Sequence, residues 1–230
     1  FFIKLAADMA YEKLVEGVDT LVSMRRAWLV AAVAVLVAYH AVFFGIFGRG
    51  VVATLDHPMH LYHAYAVADI LLPTQSNVWG WTQHFYTGYP VHQFYPPLVS
   101  VLVAAAAGAT GGLLSIAGAY RLVLLVVVAL VPATMYVFCG EAGLSRRQHT
   151  LVTLLSVIPS SRFAEMLFWG TTPMLLALGL APLVFACLFR FLQTKSWQSF
   201  AVLVFVEALV LLSHPVIHLG VLAGVVAMLA

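Results

Sequence analysis

Long apolar runs decide what this chain can fold into. Residues 27–47, 98–118, 122–138 and 174–192 are each close to the ~20 residues a helix needs to cross a bilayer's hydrocarbon core. Shorter apolar runs follow at 150–158, 200–212 and 215–230. Only 9% of the 230 residues are charged and 63% are hydrophobic, whereas a soluble domain is about 25% charged. The chain therefore reads as an all-α, polytopic transmembrane protein. With 11 Lys and Arg it cannot build the basic face a nucleic-acid binder requires, so the bilayer is its expected partner and nucleic acid is not. Cys139 and Cys187 both sit in apolar runs and read as small core residues.

Residues 1–26 precede the spans. Lys4, Asp8, Glu12 and Glu16 recur every four residues, with Leu5, Met9, Leu14, Val18 and Leu21 on other faces. That pattern predicts an amphipathic helix on the cytoplasmic membrane surface. Arg25 and Arg26 then place the start of the first span inside, because Lys and Arg accumulate on the cytoplasmic side. The beginning at Phe1-Phe2 and the end inside an apolar run predict a piece of a longer chain, with residues 27–230 as its transmembrane module. Arg146-Arg147 and Arg190/Lys195 also look cytoplasmic. Two full spans between 98 and 138 would put Arg146-Arg147 outside, so one of those runs is expected to be re-entrant or to lie flat. The small, Gly-rich stretch 104–112 is the weaker candidate.

Residues 48–97 form a long first outer loop, expected to hold interfacial helices. It carries five of the nine histidines and many aromatics, but only Arg49, Asp56 and Asp69 as charges. Asp56 follows the first span, and Pro58 suits the first turn of a helix. Two readings of Asp56 compete. It caps that helix by accepting orphan backbone N–H groups, or it is a general base at the lipid–water boundary, where ionisable groups are costly and functional by default. His57, His60 and His63 recur every three residues, a spacing open to metal ligation or to hydrogen bonding with phosphate and hydroxyls. His214-Pro215 reads as a break between two apolar helices, with His218 one turn further on. Further along the loop, Trp79, Trp81, Tyr89, Gln93 and Tyr95 put flat aromatic faces beside polar donors. They suit sugar binding or an ordinary interfacial aromatic belt equally well.

Asp56-His57, Gly88-Tyr89-Pro90, Phe94-Tyr95-Pro96-Pro97-Leu98, Ser161-Arg162-Phe163-Ala164-Glu165, Trp169-Gly170 and His214-Pro215 together resemble a family of polytopic membrane proteins labelled as related to 6-pyruvoyl-tetrahydropterin synthase. That family is similar to the GT-C membrane glycosyltransferases, which carry an acidic residue at the start of a long first outer loop. The resemblance implies an integral protein of the cytoplasmic membrane, multi-pass, with an extracytoplasmic catalytic loop. It implies transfer of a sugar from a polyprenyl-phosphate donor to an acceptor at the outer face, with Asp56 as general base and His57 beside it. It further implies His60, Tyr89, Gln93, Tyr95, Arg162 and Glu165 as substrate-binding residues. Position 57 is His where many GT-C enzymes have a second acid, so no two-carboxylate metal site is expected, and a divalent cation is left open as cofactor. Two other readings are a non-catalytic GT-C-like scaffold subunit packing other membrane subunits, and a metal- or haem-binding membrane protein built on its histidines.

Overall fold

A computed structural model describes residues 30, 31, 33–35, 37, 38, 54–84, 87–93, 95–156 and 166–229. The expected surface helix 1–26, most of the first apolar run, Arg162 and Glu165 lie outside the described residues.

The described chain is predominantly helical. Helix α1 (His57–Tyr65) opens with Pro58 in its first turn, where a missing N–H costs nothing. It runs on through a π-helical segment (Ala66–Leu71) into the short α2 (Leu72–Gln75). An antiparallel ribbon of β1 (Gly80–Thr82) and β2 (Tyr89–Val91) follows, with Trp81 opposite Pro90. Gly88 is the residue that permits its return: φ is +123°, and a Cβ there would collide with the Trp81 indole. The loop expected to hold interfacial helices thus holds α1 and a small strand pair that the sequence pattern does not announce.

Helix α3 (Leu98–Ala109) has 12 residues, about 18 Å at 1.5 Å per residue, too short to cross a bilayer. Gly111 and Gly112, at φ +59° and +88°, end the apolar run early. Of the two apolar runs between 98 and 138, only the second forms a helix long enough to span, which is the pattern the charges at Arg146-Arg147 ask for. That span is α4 (Ile116–Glu141), capped by Ser115, whose side chain accepts from the Gly118 N–H. A capping box between Ser145 and Gln148 starts α5 (Arg146–Leu155), which folds back along α4 so that His149 packs on Tyr136 at 4.1 Å. Helices α6 (Thr172–Thr194), α7 (Trp197–Ser213) and α8 (Pro215–Leu229) complete the bundle. Among the described residues, α4 and α6 are the two helices long and apolar enough to cross a membrane.

Helices α4 and α6 run parallel, Tyr120 beside Thr172 at their N-termini and Glu141 beside Arg190 at their C-termini, and form the core. Tyr120, Leu124, Val127 and Val128 of α4 pack in one cluster with Leu175, Leu176, Leu180 and Val184 of α6. Close approach is set at Gly179, where an added Cβ would sit 3.3 Å from Leu130, and the Thr134 hydroxyl lies 2.6 Å from the Gly179 carbonyl oxygen. His214 is extended and ends α7, and Pro215 starts α8, as the sequence pattern predicts. The turn brings His218 Nδ1 to 3.0 Å from Glu207 Oε1.

The parallel pair gives the bundle two chemically different ends. The N-termini of α4 and α6 meet α1, through Tyr120 and Thr172. Their C-termini carry Glu141, Arg190, Gln193 and Lys195, next to Arg146 and Arg147.

Candidate functional site

The histidine-rich end is built around the start of α1. The Asp56 N–H donates to the Trp169 carbonyl oxygen at 3.1 Å, and the His57 N–H donates to the Thr54 carbonyl at 3.1 Å. Asp56 occupies the N-cap position, yet its carboxylate makes no capping hydrogen bond and the residue is exposed. The backbone is pinned while the acid is left facing outward.

His57, its neighbour, is buried at 2% exposure with both ring nitrogens engaged. Nε2 lies 2.8 Å from the Leu167 carbonyl oxygen, an acceptor only, so Nε2 carries the proton. Nδ1 lies 2.7 Å from the Tyr120 hydroxyl, and that oxygen is 3.0 Å from Thr172 Oγ1. In neutral His57 the relay runs Thr172 O–H to Tyr120, and Tyr120 O–H to Nδ1. Burial pulls the His57 pKa down, opposed by the Leu167 carbonyl and by Asp56. Gly170 closes over this hub at φ +75°, and a Cβ there would stand 2.6 Å from the His57 backbone nitrogen. The Trp169-Gly170 pair therefore clamps Asp56-His57 from 110 or so residues away in sequence, a contact its one-dimensional spacing cannot reveal.

The remaining candidates separate into two groups. His60 and His63 share a face of α1 and are both buried, as is His92 after β2. Burial, the largest cause in each, pushes His60 to about 4, His63 to about 3 and His92 to about 4, with the neighbouring imidazoles adding to it for His60 and His63. Tyr89 stacks on His63 with ring centroids 5.5 Å apart, and Tyr95 meets His60 at 5.7 Å and His63 at 5.5 Å. These two tyrosines, expected to hold a sugar, are half-buried and spend one face on histidines. Burial raises the Tyr89 pKa. His60, expected to meet substrate, is 3% exposed and turned inward. Gln93 is exposed.

Several residues absent from the sequence-based site belong to it. Tyr120 and Thr172 hide inside apolar runs where nothing marks them out. His92 lies outside the three-residue histidine repeat. Trp169 is 50% exposed, and Trp81, already among the loop aromatics singled out in the sequence, is 53% exposed.

Cavities among the described residues lie elsewhere. One of about 750 Å³, lined by Val33, Val37, Leu125, Ala129, Pro132 and Tyr136, is on the side of α4 opposite Tyr120. Another, of about 260 Å³, sits beside Glu141 and Arg190, and a third, of about 360 Å³, beside Lys195 and Trp197. Asp56 lines none of these three.

A family model described as "6-pyruvoyl-tetrahydropterin synthase related domain; membrane protein" matches residues 92–230, more than half of the chain. The match begins at His92, so it includes Tyr95, Tyr120, Trp169-Gly170 and Thr172 and leaves Asp56, His57 and His60 upstream. No curated protein and no solved structure matches the chain.

Proposed function

The chain belongs to the 6-pyruvoyl-tetrahydropterin synthase related family of membrane proteins, and on that premise we propose that it is a membrane glycosyltransferase. In this reading it moves a sugar from a polyprenyl-phosphate donor to an acceptor at the outer membrane face, on a GT-C-like scaffold. The observation that carries the reading is the outward-facing Asp56 carboxylate, uncommitted to capping and mounted on a hydrogen-bonded hub. Its end of the bundle lies opposite Arg146, Arg147, Arg190 and Lys195, which supports an extracytoplasmic position for it by the positive-inside rule.

Asp56 accepts the proton of the acceptor hydroxyl as that oxygen attacks the anomeric carbon. The carbon–oxygen bond to phosphate breaks with its electron pair, and polyprenyl phosphate leaves with the configuration at carbon inverted. His57 does not touch substrate in this scheme. With both nitrogens held, it is a positioning residue that fixes the backbone from which Asp56 projects. Trp169 and Trp81 offer exposed faces for a sugar ring, and Gln93 an exposed amide donor. Arg162 remains a candidate for the donor phosphate and Glu165 for another part of the substrate.

The test is transfer from radiolabelled glycosyl polyprenyl phosphates by membranes containing the wild type or Asp56→Asn. A general base contributes about 10²–10⁴-fold, so the variant should lose that much transfer with an unchanged melting temperature. A folded Asp56→Asn protein with full transfer ends the catalytic assignment. Absence of transfer in the wild type, with stable recovery in a larger membrane complex, favours the scaffold-subunit reading instead.

A further inference from the structure

Neither ring nitrogen of His63, a residue with 0% exposure, has a hydrogen-bond partner among the described residues. His92 Nε2 is also buried without a partner. Buried polar atoms are paired in the great majority of native positions, and the exceptions ask for a reason such as an ion or a catalytic role. Three such nitrogens within one contact cluster form a group to be explained together.

One of these imidazoles is oriented by its far nitrogen. His92 Nδ1 is 3.2 Å from the Tyr95 carbonyl oxygen, so Nδ1 holds the proton and Nε2 presents its lone pair. A backbone carbonyl taking the far N–H is the usual way a metal-binding histidine is oriented. His60 has the Gly170 backbone as its own hydrogen-bond neighbour. His92 is held at φ +63°, a conformation a non-glycine residue keeps only when its surroundings impose it, and one that recurs at ligand clamps. The helix carrying His60 and His63 passes directly into a π-helical segment, another feature frequent at functional sites.

Spacing agrees. With metal–nitrogen distances of about 2.1 Å, two imidazoles on one tetrahedral ion have ring centroids roughly 5 Å apart. His63 and His92 stand at 5.0 Å, already at that separation, and His60 and His63 at 6.4 Å. Among the described residues no three ligands yet converge on one point. His60 has to close by roughly 1 Å, within reach of a side-chain rotation.

We propose that His60, His63 and His92 form a binding site for one first-row transition-metal ion of the zinc type. Three neutral imidazoles with no carboxylate select such an ion over magnesium or calcium, which demand oxygen. His57 is not a ligand, because Leu167 and Tyr120 occupy its nitrogens. The histidine repeat at 57, 60 and 63 therefore misleads by one member, and the third ligand comes from the ribbon. Because neither Asp56 nor His57 takes part, the site stands or falls separately from glycosyl transfer.

The test uses the tag-free full chain in detergent, stripped with chelator and desalted, then titrated with Zn²⁺ and with Co²⁺. One Zn²⁺ should remain per chain after dialysis, melting should rise with Zn²⁺, and Co²⁺ should give the intense visible bands of a tetrahedral site. Magnesium at millimolar concentration should not compete. His63→Phe, which fills the volume, and His92→Asn, which tolerates positive φ, should each weaken binding at least 100-fold. His214→Ala should bind as the wild type does. Less than one ion per wild-type chain, or unchanged binding in both variants, overturns the site. Should both variants fail to fold, a weak octahedral Co²⁺ spectrum in the wild type overturns it as well.

Discussion

The two ends of the α4–α6 pair solve the problem of polar groups in opposite ways. At one end Glu141 and Arg190 meet at 3.3 Å, with Arg190 60% exposed, and Gln193 donates to the Glu141 carbonyl oxygen. Water screens that pair, and it costs little to keep. At the other end His57, His60, His63 and His92 are all within 5% of complete burial. Leaving a buried polar group unpaired costs about 1–3 kcal/mol, and His63 leaves two nitrogens unpaired. A fold does not retain such an arrangement for stability, since a leucine would serve better there. The expensive end is the one that carries the proposed sites, and the inexpensive end carries the exposed cations.

The pH response should separate the ends most strongly. A histidine whose folded pKa lies below its solution value of about 6.5 binds fewer protons folded than unfolded. Stability is therefore fully present above pH 6.5, falls as pH drops below it, and levels off near the folded values of about 3 to 4. For His60, His63 and His92 the loss between pH 6.5 and 5.5 is about 1 kcal/mol each, roughly 3 kcal/mol together. Metal-free protein should show it as a drop in melting temperature and as faster amide exchange over residues 57–95. His63→Phe should remove about a third of the slope. A flat profile over that interval would mean that the cluster is hydrated and open, and the contrast between the ends would vanish.

Much of the helical architecture is legible in the sequence because it depends on local pattern. Apolar length marks α4 and α6, Ser115 and Ser145 with Gln148 mark helix starts, and His214-Pro215 marks a break. The early end of α3 is legible too, once Gly111-Gly112 is weighed against the apolar run around it. The site is legible only in part. Asp56 and the histidines announce themselves as polar groups in an apolar chain, but their environments do not. Whether Asp56 caps a helix is decided by backbone angles and by Trp169. Whether His57 is free is decided by Tyr120 and Leu167, 63 and 110 residues away. Tertiary contacts of that range leave no periodic trace, so the sequence puts His57 among the reactive groups when it is a buried anchor.

Tyr120→Phe sharpens the comparison at the level of one oxygen atom. The change keeps the ring packed against Leu124 and the α6 side chains but removes the bridge between His57 Nδ1 and Thr172 Oγ1. Both partners are buried, so the expected loss is about 1–3 kcal/mol, seen as a lower melting temperature. If His57 acts by positioning Asp56, transfer should also fall in the folded variant while its pH profile keeps its shape. A change in the shape of that profile would instead make His57 a proton carrier.

The smallest effect should come from the opposite end. Arg190→Ala removes the contact with Glu141, an exposed pair whose Coulomb attraction is offset by side-chain entropy and screened by salt. A loss below about 1 kcal/mol is expected, shrinking further at high ionic strength, with glycosyl transfer and zinc binding both unaltered. The charge itself contributes elsewhere. If the positive-inside rule governs this chain, Arg146, Arg147 and Lys195 share the orienting bias with it, so Arg190→Ala alone should leave orientation intact. Replacing all four cations should mix the orientations, read by protease access to the loop carrying Asp56. If Arg190→Ala alone cost as much as Tyr120→Phe, the charged end would be a structural keystone, and burial would no longer distinguish the two ends.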